Sequence, residues 1–290
     1  MNIRLHLVTI FSAIILMTGS LVFAQDATTE EAASEPEAKS LGINIDFGFA
    51  TIYNFRGFNS FQENTQQDTN ALFAPSITWA IFDTGLYVGY WGAYQMSGDN
   101  KTDMVKSALG HEQDLYIGYD KGFADDLITL SAALTYYFYP FASEAVTGSS
   151  NPSIIEPKIG VSFATPVDLG LSLSYFAGIN DATETLSHLY INPTIGKSLP
   201  LGDIVSMDLG FGLGYKVWTD SDMRDVNDNA IDILFDAGLS IALPGGLYLS
   251  PAVHAAWTNL DRIATETGTR KATTGDEYMV YTSLNVGADF

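Results

Sequence analysis

Segments in which apolar and polar residues alternate recur along the chain from Leu41 to the C terminus. The clearest segment runs from Val205 to Lys216, where the apolar positions alternate with Ser, Asp, Gly and Lys. Other examples are Ile43 to Ala50 and Leu169 to Gly178. Alternation puts the two sets of side chains on opposite faces of a strand. About twelve such segments predict an all-β protein whose strands each have one apolar and one polar face.

The connections between these segments alternate between short and long. Short turns are predicted at 83–85, 122–125, 165–167, 199–202 and 244–246, and longer polar loops at 57–69, 97–111, 141–152, 180–187, 219–229 and 259–276. Bacterial outer-membrane barrels have short periplasmic turns and long outer loops. The pattern therefore predicts a transmembrane antiparallel up-and-down β-barrel of about 12 strands.

The last ten residues, "YTSLNVGADF", form an alternating strand that ends on Phe290. We expect this strand to close the barrel against the first strand, predicted from Leu41 to Tyr53, because closure removes edges that lipid cannot satisfy. An aromatic C-terminal residue also resembles the assembly signal of outer-membrane barrels. This resemblance implies that Phe290 is read by the barrel-assembly machinery.

The N-terminal residues predict export. Arg4 precedes an apolar run from Leu7 to Met17, and the segment closes with Val22-Phe23-Ala24, whose Val22 and Ala24 lie at the positions that a signal peptidase reads. This order is typical of a cleaved signal peptide, predicted at 1–24. A membrane anchor is the alternative, but the run is short and no basic cluster follows it. Residues 25–40 predict an acidic disordered tether, with a short helix as the alternative. The barrel then occupies 41–290.

Composition excludes several classes of partner. The chain has 13 Lys and Arg against 34 Asp and Glu, a formal net charge of −21. Such an acidic chain repels nucleic acid. The absence of cysteine excludes disulfides and Cys-ligated metals, and no cofactor is predicted. The predicted partners are outer-membrane lipid, lipopolysaccharide, the assembly machinery and small solutes or ions. The sequence leaves monomer and oligomer open.

Aromatic residues cluster near the predicted strand ends. The clusters are Tyr136 to Tyr139 with Phe141, Trp218 with Trp257, and Trp79 with Phe82. We expect them to form two girdles at the membrane interfaces. Ordinary cross-strand aromatic pairing is the alternative.

The strand alternation also predicts which side chains face the lumen. The charged candidates are mostly acidic: Asp46, Asp114, Glu156, Lys158, Asp208, Lys216, Asp232, Asp236 and His254. An acidic wall attracts cations. The sequence therefore predicts a porin-like channel for passive passage of small solutes with a mild cation preference. The alternative is that these charges only pair with one another and with water.

Strand registers follow from the turns, subject to a shift of two residues or a bulge. If the loop 219–229 folds about its centre, Lys216 lies opposite Asp232, and Gly212 lies opposite Asp236. A tight turn at 244–246 puts Asp236 opposite His254. Glycines at 210, 212 and 214 leave one inner wall bare, which predicts either room for a pore or folded-in loop, or strand bending.

A structural or adhesin-type barrel and a barrel-embedded enzyme are the two alternatives to a channel. A serine hydrolase needs a serine within hydrogen-bond reach of a histidine, but Ser250 lies about 13 Å along the strand from His254. His111 to Asp114 lie in a predicted strand rather than in a zinc-binding helix. The sequence therefore predicts that the protein is not an enzyme.

An adhesin or structural barrel is the third class. Its acidic loop, with Asp220, Asp222, Asp225 and Asp228, either binds a divalent cation or is simply solvated.

Three stretches resemble the TorF-type porin family of proteobacterial outer-membrane proteins. They are "YNFRG" at 53–57, "DLYIGY" at 114–119 and "YYFYP" at 136–140. The family often has Ser-Asp before the first tyrosine, where this chain has Thr51-Ile52. The likeness covers roughly the first half of the chain. It implies an outer-membrane barrel with a transport role, and it supplies no site residues.

Overall fold

The computed structural model describes residues 40–61, 67–97, 111–140, 152–180, 183–220, 230–259, 262–265, 268–271 and 278–290. The predicted signal peptide and tether lie outside these residues, apart from Ser40. So does most of the acidic loop at 219–229. In the part of the chain that is described, no helix is long and apolar enough to cross a membrane.

Twelve antiparallel strands of the described chain form one closed barrel in which neighbours in sequence are neighbours in space. They are β1 Ile43–Ala50, β2 Leu72–Ala80, β3 Leu86–Gln95, β4 Glu112–Phe123, β5 Ile128–Phe138, β6 Ser153–Phe163, β7 Asp168–Gly178, β8 His188–Pro200, β9 Val205–Trp218, β10 Ala230–Ala242, β11 Leu247–Thr258 and β12 Tyr278–Asp289. Two small hairpins are not part of the barrel sheet: Asn54–Phe55 with Phe58–Asn59, and Arg262–Thr265 with Gly268–Lys271. The predicted fold class and the alternation of short and long connections are confirmed.

The first and last strands close the barrel, as the sequence predicts. Strand β12 pairs with β11 on one side and with β1 on the other. At the seam the Phe290 N–H donates to the Ile43 carbonyl at 2.9 Å, and the Gly42 N–H donates to the Phe290 carbonyl at 2.9 Å. Strand β1 is shorter than predicted, because it ends at Ala50 rather than Tyr53. The residues that follow leave the wall.

Deleting Phe290 is expected to slow folding into the barrel, because the seam loses both of these backbone hydrogen bonds. Each typical hydrogen bond contributes about 1 kcal/mol. The rate is measured by refolding into lipid vesicles and following the folded band on unboiled gels. Phe290→Leu, which keeps the backbone bonds, is the matched control for the side chain. Refolding of the deletion at the wild-type rate would show that the seam does not depend on this residue.

The two faces of the wall have the predicted polarity. On β6, the Ile159 side chain is 60% exposed to the outside, whereas Glu156 points into the barrel and is 5% exposed. Leu115, Leu134 and Phe235 likewise project outward from their strands. An apolar outer surface around a polar interior is what a barrel needs to lie in a bilayer.

The predicted aromatic girdles are only partly correct. Trp79 is 42% exposed and packs against the exposed ring of Phe82 beside a short turn, with ring centroids 6.5 Å apart. Trp218, in contrast, is 4% exposed and packs on His188 at 4.8 Å. The Tyr136 to Tyr139 cluster is split by strand alternation. Tyr137 and Tyr139 are buried on the inner side, whereas Tyr136 faces outward. Phe141 lies outside the described residues.

One of the two predicted registers is shifted. Asp236 lies opposite His254, as the tight turn predicts. Across the long loop, however, Lys216 pairs with Ala230, and Asp232 lies opposite Gly214. This shift of two residues keeps every side chain on its predicted face, because the period of a strand is two. Asp236 correspondingly faces Gly210 rather than Gly212.

Candidate functional site: a hairpin inside the barrel

Residues 51–61 leave β1 and fold into the barrel at its long-loop end. This segment carries five large apolar side chains, at positions 52, 53, 55, 58 and 61. Four of them are buried, including Ile52 at 1% exposure. Such residues would be exposed to water in an outer loop, and the hydrophobic effect favours their burial by roughly 1.5–3 kcal/mol each. The interior of the barrel provides that burial.

The tip of this inserted hairpin is a tight two-residue turn. Phe55 pairs with Phe58, which leaves Arg56 and Gly57 as the turn residues. Their φ angles are 52° and 80°, as a type I′ turn requires. The left-handed conformation costs a residue other than glycine about 1–2 kcal/mol. The contacts of the Arg56 side chain offset this cost.

Arg56 is buried among groups from three strands of the opposite wall. Its guanidinium forms an ion pair with Glu156 on β6 and donates to the Ser174 hydroxyl on β7 at 3.3 Å. The same group lies 4.4 Å from the centre of the Tyr190 ring on β8. Burial acts to lower the pKa of Arg56, but Glu156 and the other neighbouring groups together raise the pKa above its ordinary value. The side chain therefore remains a cation.

His188 completes the cage around Arg56. The histidine Nδ1 lies 2.7 Å from the Leu186 carbonyl, and its Nε2 lies 2.9 Å from an Arg56 terminal nitrogen. A carbonyl can only accept and a guanidinium can only donate. His188 must therefore be neutral here, with its hydrogen on Nδ1 and its lone pair directed at Arg56. The contact is a hydrogen bond to a cation rather than a repulsion between two cations.

A second buried ion pair holds the backbone of the tip. The Lys216 ammonium on β9 donates to the Arg56 carbonyl at 2.6 Å and to the Asp232 carboxylate on β10 at 2.7 Å. The Tyr190 hydroxyl donates to the other oxygen of Asp232 at 2.9 Å. Removing one partner of such a buried pair leaves an uncompensated charge. The tip is thus coupled to the charges of the wall.

The base of the hairpin contacts the remaining sides of the barrel. The Tyr53 hydroxyl donates to Glu112 on β4 at 2.8 Å, and the Asn54 amide donates to the Tyr281 hydroxyl on β12 at 3.2 Å. Ile52 belongs to an apolar cluster with Leu234, Ala256 and Met279. The hairpin therefore spans the lumen from β4 to β12.

The nine lumen residues predicted from the sequence all lie on the inner face, at three depths. Three of them lie at the hairpin tip, where Glu156 and Lys216 contact Arg56 and Asp232 binds Lys216. Asp114 lies on β4, the strand of Glu112, and Lys158 lies on β6, the strand of Glu156. Asp236 and His254 are paired below it. Asp46 and Asp208 lie towards the short-turn end, where they accept from Tyr248 and Ser240 hydroxyls at 2.6 Å.

Arg56, three of its neighbours and Glu112 were not among the site residues predicted from the sequence. Strand parity already places Glu112, Ser174, His188 and Tyr190 on the inner face, so these could have been named. The signal for Arg56 was the run of large apolar residues at 52, 53, 55, 58 and 61. This run continues from the end of the predicted first strand into the predicted loop at 57–69 and requires burial somewhere. Among the described residues, no cluster of His, Asp and Glu side chains could hold a metal ion.

Comparisons with known proteins give only distant likenesses. No protein-family model matches the chain, and no curated protein matches it. Among solved structures, the NanC porin is 12% identical, with a TM-score of 0.45 over 86% of this chain and 98% of that one. An outer membrane channel from Pseudomonas putida F1 is 13% identical, with a TM-score of 0.45 over 90% of this chain and 100% of that one. LpxR from Salmonella typhimurium is 10% identical, with a TM-score of 0.46 over 85% and 100% of the two chains.

Proposed function

We propose that this protein is an outer-membrane porin-like channel for the passive passage of small solutes. The observation that carries the proposal is the closed barrel with an apolar outside and a charged inside. A soluble barrel has no need of an apolar outer wall. Lumen-facing charge in turn provides a polar path through a bilayer.

The inserted hairpin forms the constriction of this channel. It is anchored to strands on opposite sides of the barrel by Tyr53, Arg56 and the Arg56 carbonyl. Solutes must therefore pass beside a rigid group of charged and aromatic side chains. Such a constriction selects by size and by charge.

The inner wall supports a mild preference for cations. The acidic side chains on the inner face of the described strands include Asp46, Glu112, Asp114, Asp120, Glu156, Asp208, Asp232, Asp236 and Asp289, and the basic ones at the inner face or the hairpin include Arg56, Lys158 and Lys216. Glu156 and Asp232 are neutralised by Arg56 and Lys216. The remaining acids leave the lumen negative, which attracts cations and repels anions.

In the proposed function the chain is exported and its barrel lies in the outer membrane. The signal peptide directs the chain across the inner membrane, and the closing strand is read by the assembly machinery. Outer-membrane lipid surrounds the barrel, and lipopolysaccharide contacts its long-loop half.

A structural or adhesin-type barrel is the second candidate, because the hairpin crosses the lumen and is tightly bonded there.

Planar-bilayer recording separates these two candidates. We expect discrete conductance steps from the purified protein and a reversal potential in a potassium chloride gradient whose sign indicates cation preference. Barrels that insert but remain electrically silent would favour the structural candidate. Cell fractionation that recovered the mature chain as a soluble periplasmic protein would contradict the membrane location.

Neutralising two acids near the short-turn end is expected to lower the cation preference. Asp46 and Asp208 accept hydrogen bonds from hydroxyl groups, so Asp46→Asn with Asp208→Asn removes two negative charges and leaves the fold intact. The reversal potential should shift towards zero. Asp83→Asn, which removes an exposed charge at a short turn, is the control and should leave the potential unchanged. An unshifted potential in the double variant would place the selective region elsewhere.

A further inference from the structure

Three inward side chains below the hairpin are joined in a line across neighbouring strands. His254 on β11 lies opposite Asp236 on β10, and its Nδ1 is hydrogen-bonded to the Asp236 carboxylate. On the other side its Nε2 lies 2.8 Å from the Ser283 hydroxyl oxygen on β12. The imidazole also stacks on the Tyr281 ring, with centroids 4.5 Å apart. The ring is therefore held in one orientation.

The order of atoms in this line matches the geometry that activates a serine. A carboxylate on Nδ1 fixes the imidazole so that Nε2 is the free base, and Nε2 is the atom that faces the hydroxyl. His254 is 1% exposed. Ser283, at the end of the line, is only partly buried. The nucleophile is thus the most accessible member of the line.

Two small residues lie beside Ser283 on the inner face. They are its partners across the two flanking strands, Ala50 on β1 and Ala252 on β11. Their side chains are single methyl groups, which cover less of the inner face beside the hydroxyl than longer side chains would. Asn285 follows Ser283 on the inner face of β12, about 7 Å along the strand. Its side-chain amide can donate to a developing oxyanion.

We propose that Ser283 is the nucleophile of a second activity, the hydrolysis of small carboxylic esters that diffuse into the lumen. His254 accepts the Ser283 proton while the serine oxygen attacks the ester carbonyl. The carbon–oxygen bond to the alcohol then breaks, and the alcohol leaves with that proton. Water attacks the acyl-serine, passes its proton through His254 to the serine oxygen, and releases the carboxylic acid. Asp236 positions the imidazole throughout and Asn285 donates to the oxyanion.

The contact between Ser283 and His254 was not predicted from the sequence. Spacing along a single strand excludes Ser250 as a partner of His254. It does not exclude a diagonal neighbour on the adjacent strand, and Ser283 is such a neighbour.

The test is covalent labelling of folded, detergent-solubilised protein with a small fluorophosphonate, followed by peptide mass spectrometry. We expect Ser283 to be phosphonylated in the native protein and to lose this reactivity in urea. His254→Gln and Ser283→Ala should abolish the labelling and the release of p-nitrophenol from p-nitrophenyl acetate. Ser250→Ala, on a serine that faces the lumen away from His254, is the matched control and should leave both unchanged.

Reagent access is checked in the same protein. The chain contains no cysteine, so Ser283→Cys introduces a unique thiol for a small methanethiosulfonate reagent. A thiol that reacts, combined with an unlabelled Ser283 in the native wild type, would overturn the proposal. A thiol that does not react would overturn it as well, since the activity requires entry of a small ester. Native labelling that persists in His254→Gln would show that His254 does not activate the serine.

Discussion

Replacing Arg56 with alanine is expected to release the hairpin from the lumen and to raise the single-channel conductance. The substitution removes the ion pair with Glu156, the hydrogen bonds to Ser174 and His188, and the stacking on Tyr190. Breaking a buried ion pair by removing one partner costs about 3–5 kcal/mol, because the other charge is left uncompensated. This cost destabilises the state in which the hairpin is inserted, relative to a state in which it has left the lumen. Conductance in planar bilayers measures the effect.

Lys121→Ala is the matched control for the loss of one positive charge. Lys121 is exposed on the outer face of β4 near a short turn, so its removal should not change the conductance.

A charge exchange tests the ion pair between Arg56 and Glu156. Arg56→Glu should open the channel, and adding Glu156→Arg should return the conductance towards the wild-type value. A conductance that is unchanged in Arg56→Ala would show that Arg56 does not hold the hairpin in place.

The second large effect is expected from Gly57→Ala. A Cβ added at Gly57 would lie 2.6 Å from the Asp232 Cβ and 2.9 Å from the Thr258 Cβ, and the residue has a φ of 80°. The methyl group can be accommodated only if the tip withdraws from the wall. We therefore expect a higher conductance and faster protease cleavage within residues 51–61 of the folded barrel.

The chain offers a matched control for the backbone part of this effect. Gly245 also has a positive φ, 78°, but an added Cβ there would meet nothing within 4 Å. Gly245→Ala should therefore cost only the left-handed strain, about 1–2 kcal/mol, and should leave the conductance unchanged. Equal behaviour of the two variants would mean that the clash at Asp232 and Thr258 does not position the hairpin.

Strand pattern was enough to predict the wall of the barrel. The alternation at Val205 to Lys216 predicts both faces of β9, and the terminal alternation predicts closure at Phe290. These features depend on local period and on the cost of an unpaired edge in lipid. Both can be evaluated from one strand at a time. The tight turn at 244–246 likewise set the Asp236–His254 register correctly.

Features that depend on side chains from distant strands were not predicted. The hairpin meets Glu156, Lys216 and Tyr281, which are far from Arg56 in sequence, and no local rule links them. The same reason applies to Ser283, which reaches His254 along a diagonal between strands. Trp218 was placed in a girdle because it ends a strand. Trp218 is two residues from Lys216 on the same strand, so the alternation of side chains would have placed Trp218 on the inner face with Lys216.

The conductance of a barrel from which the hairpin tip has been removed tests most directly whether this hairpin is the constriction of the channel. The Ser60 N–H donates to the Tyr53 carbonyl at 2.8 Å, so the two ends of the tip lie side by side. Residues 54–59 can therefore be replaced by a two-glycine link without moving β1 or β2. We expect a folded barrel whose single-channel conductance exceeds that of the wild type in the same lipid and salt. A folded barrel with wild-type conductance would contradict the claim that this hairpin is the constriction of the channel.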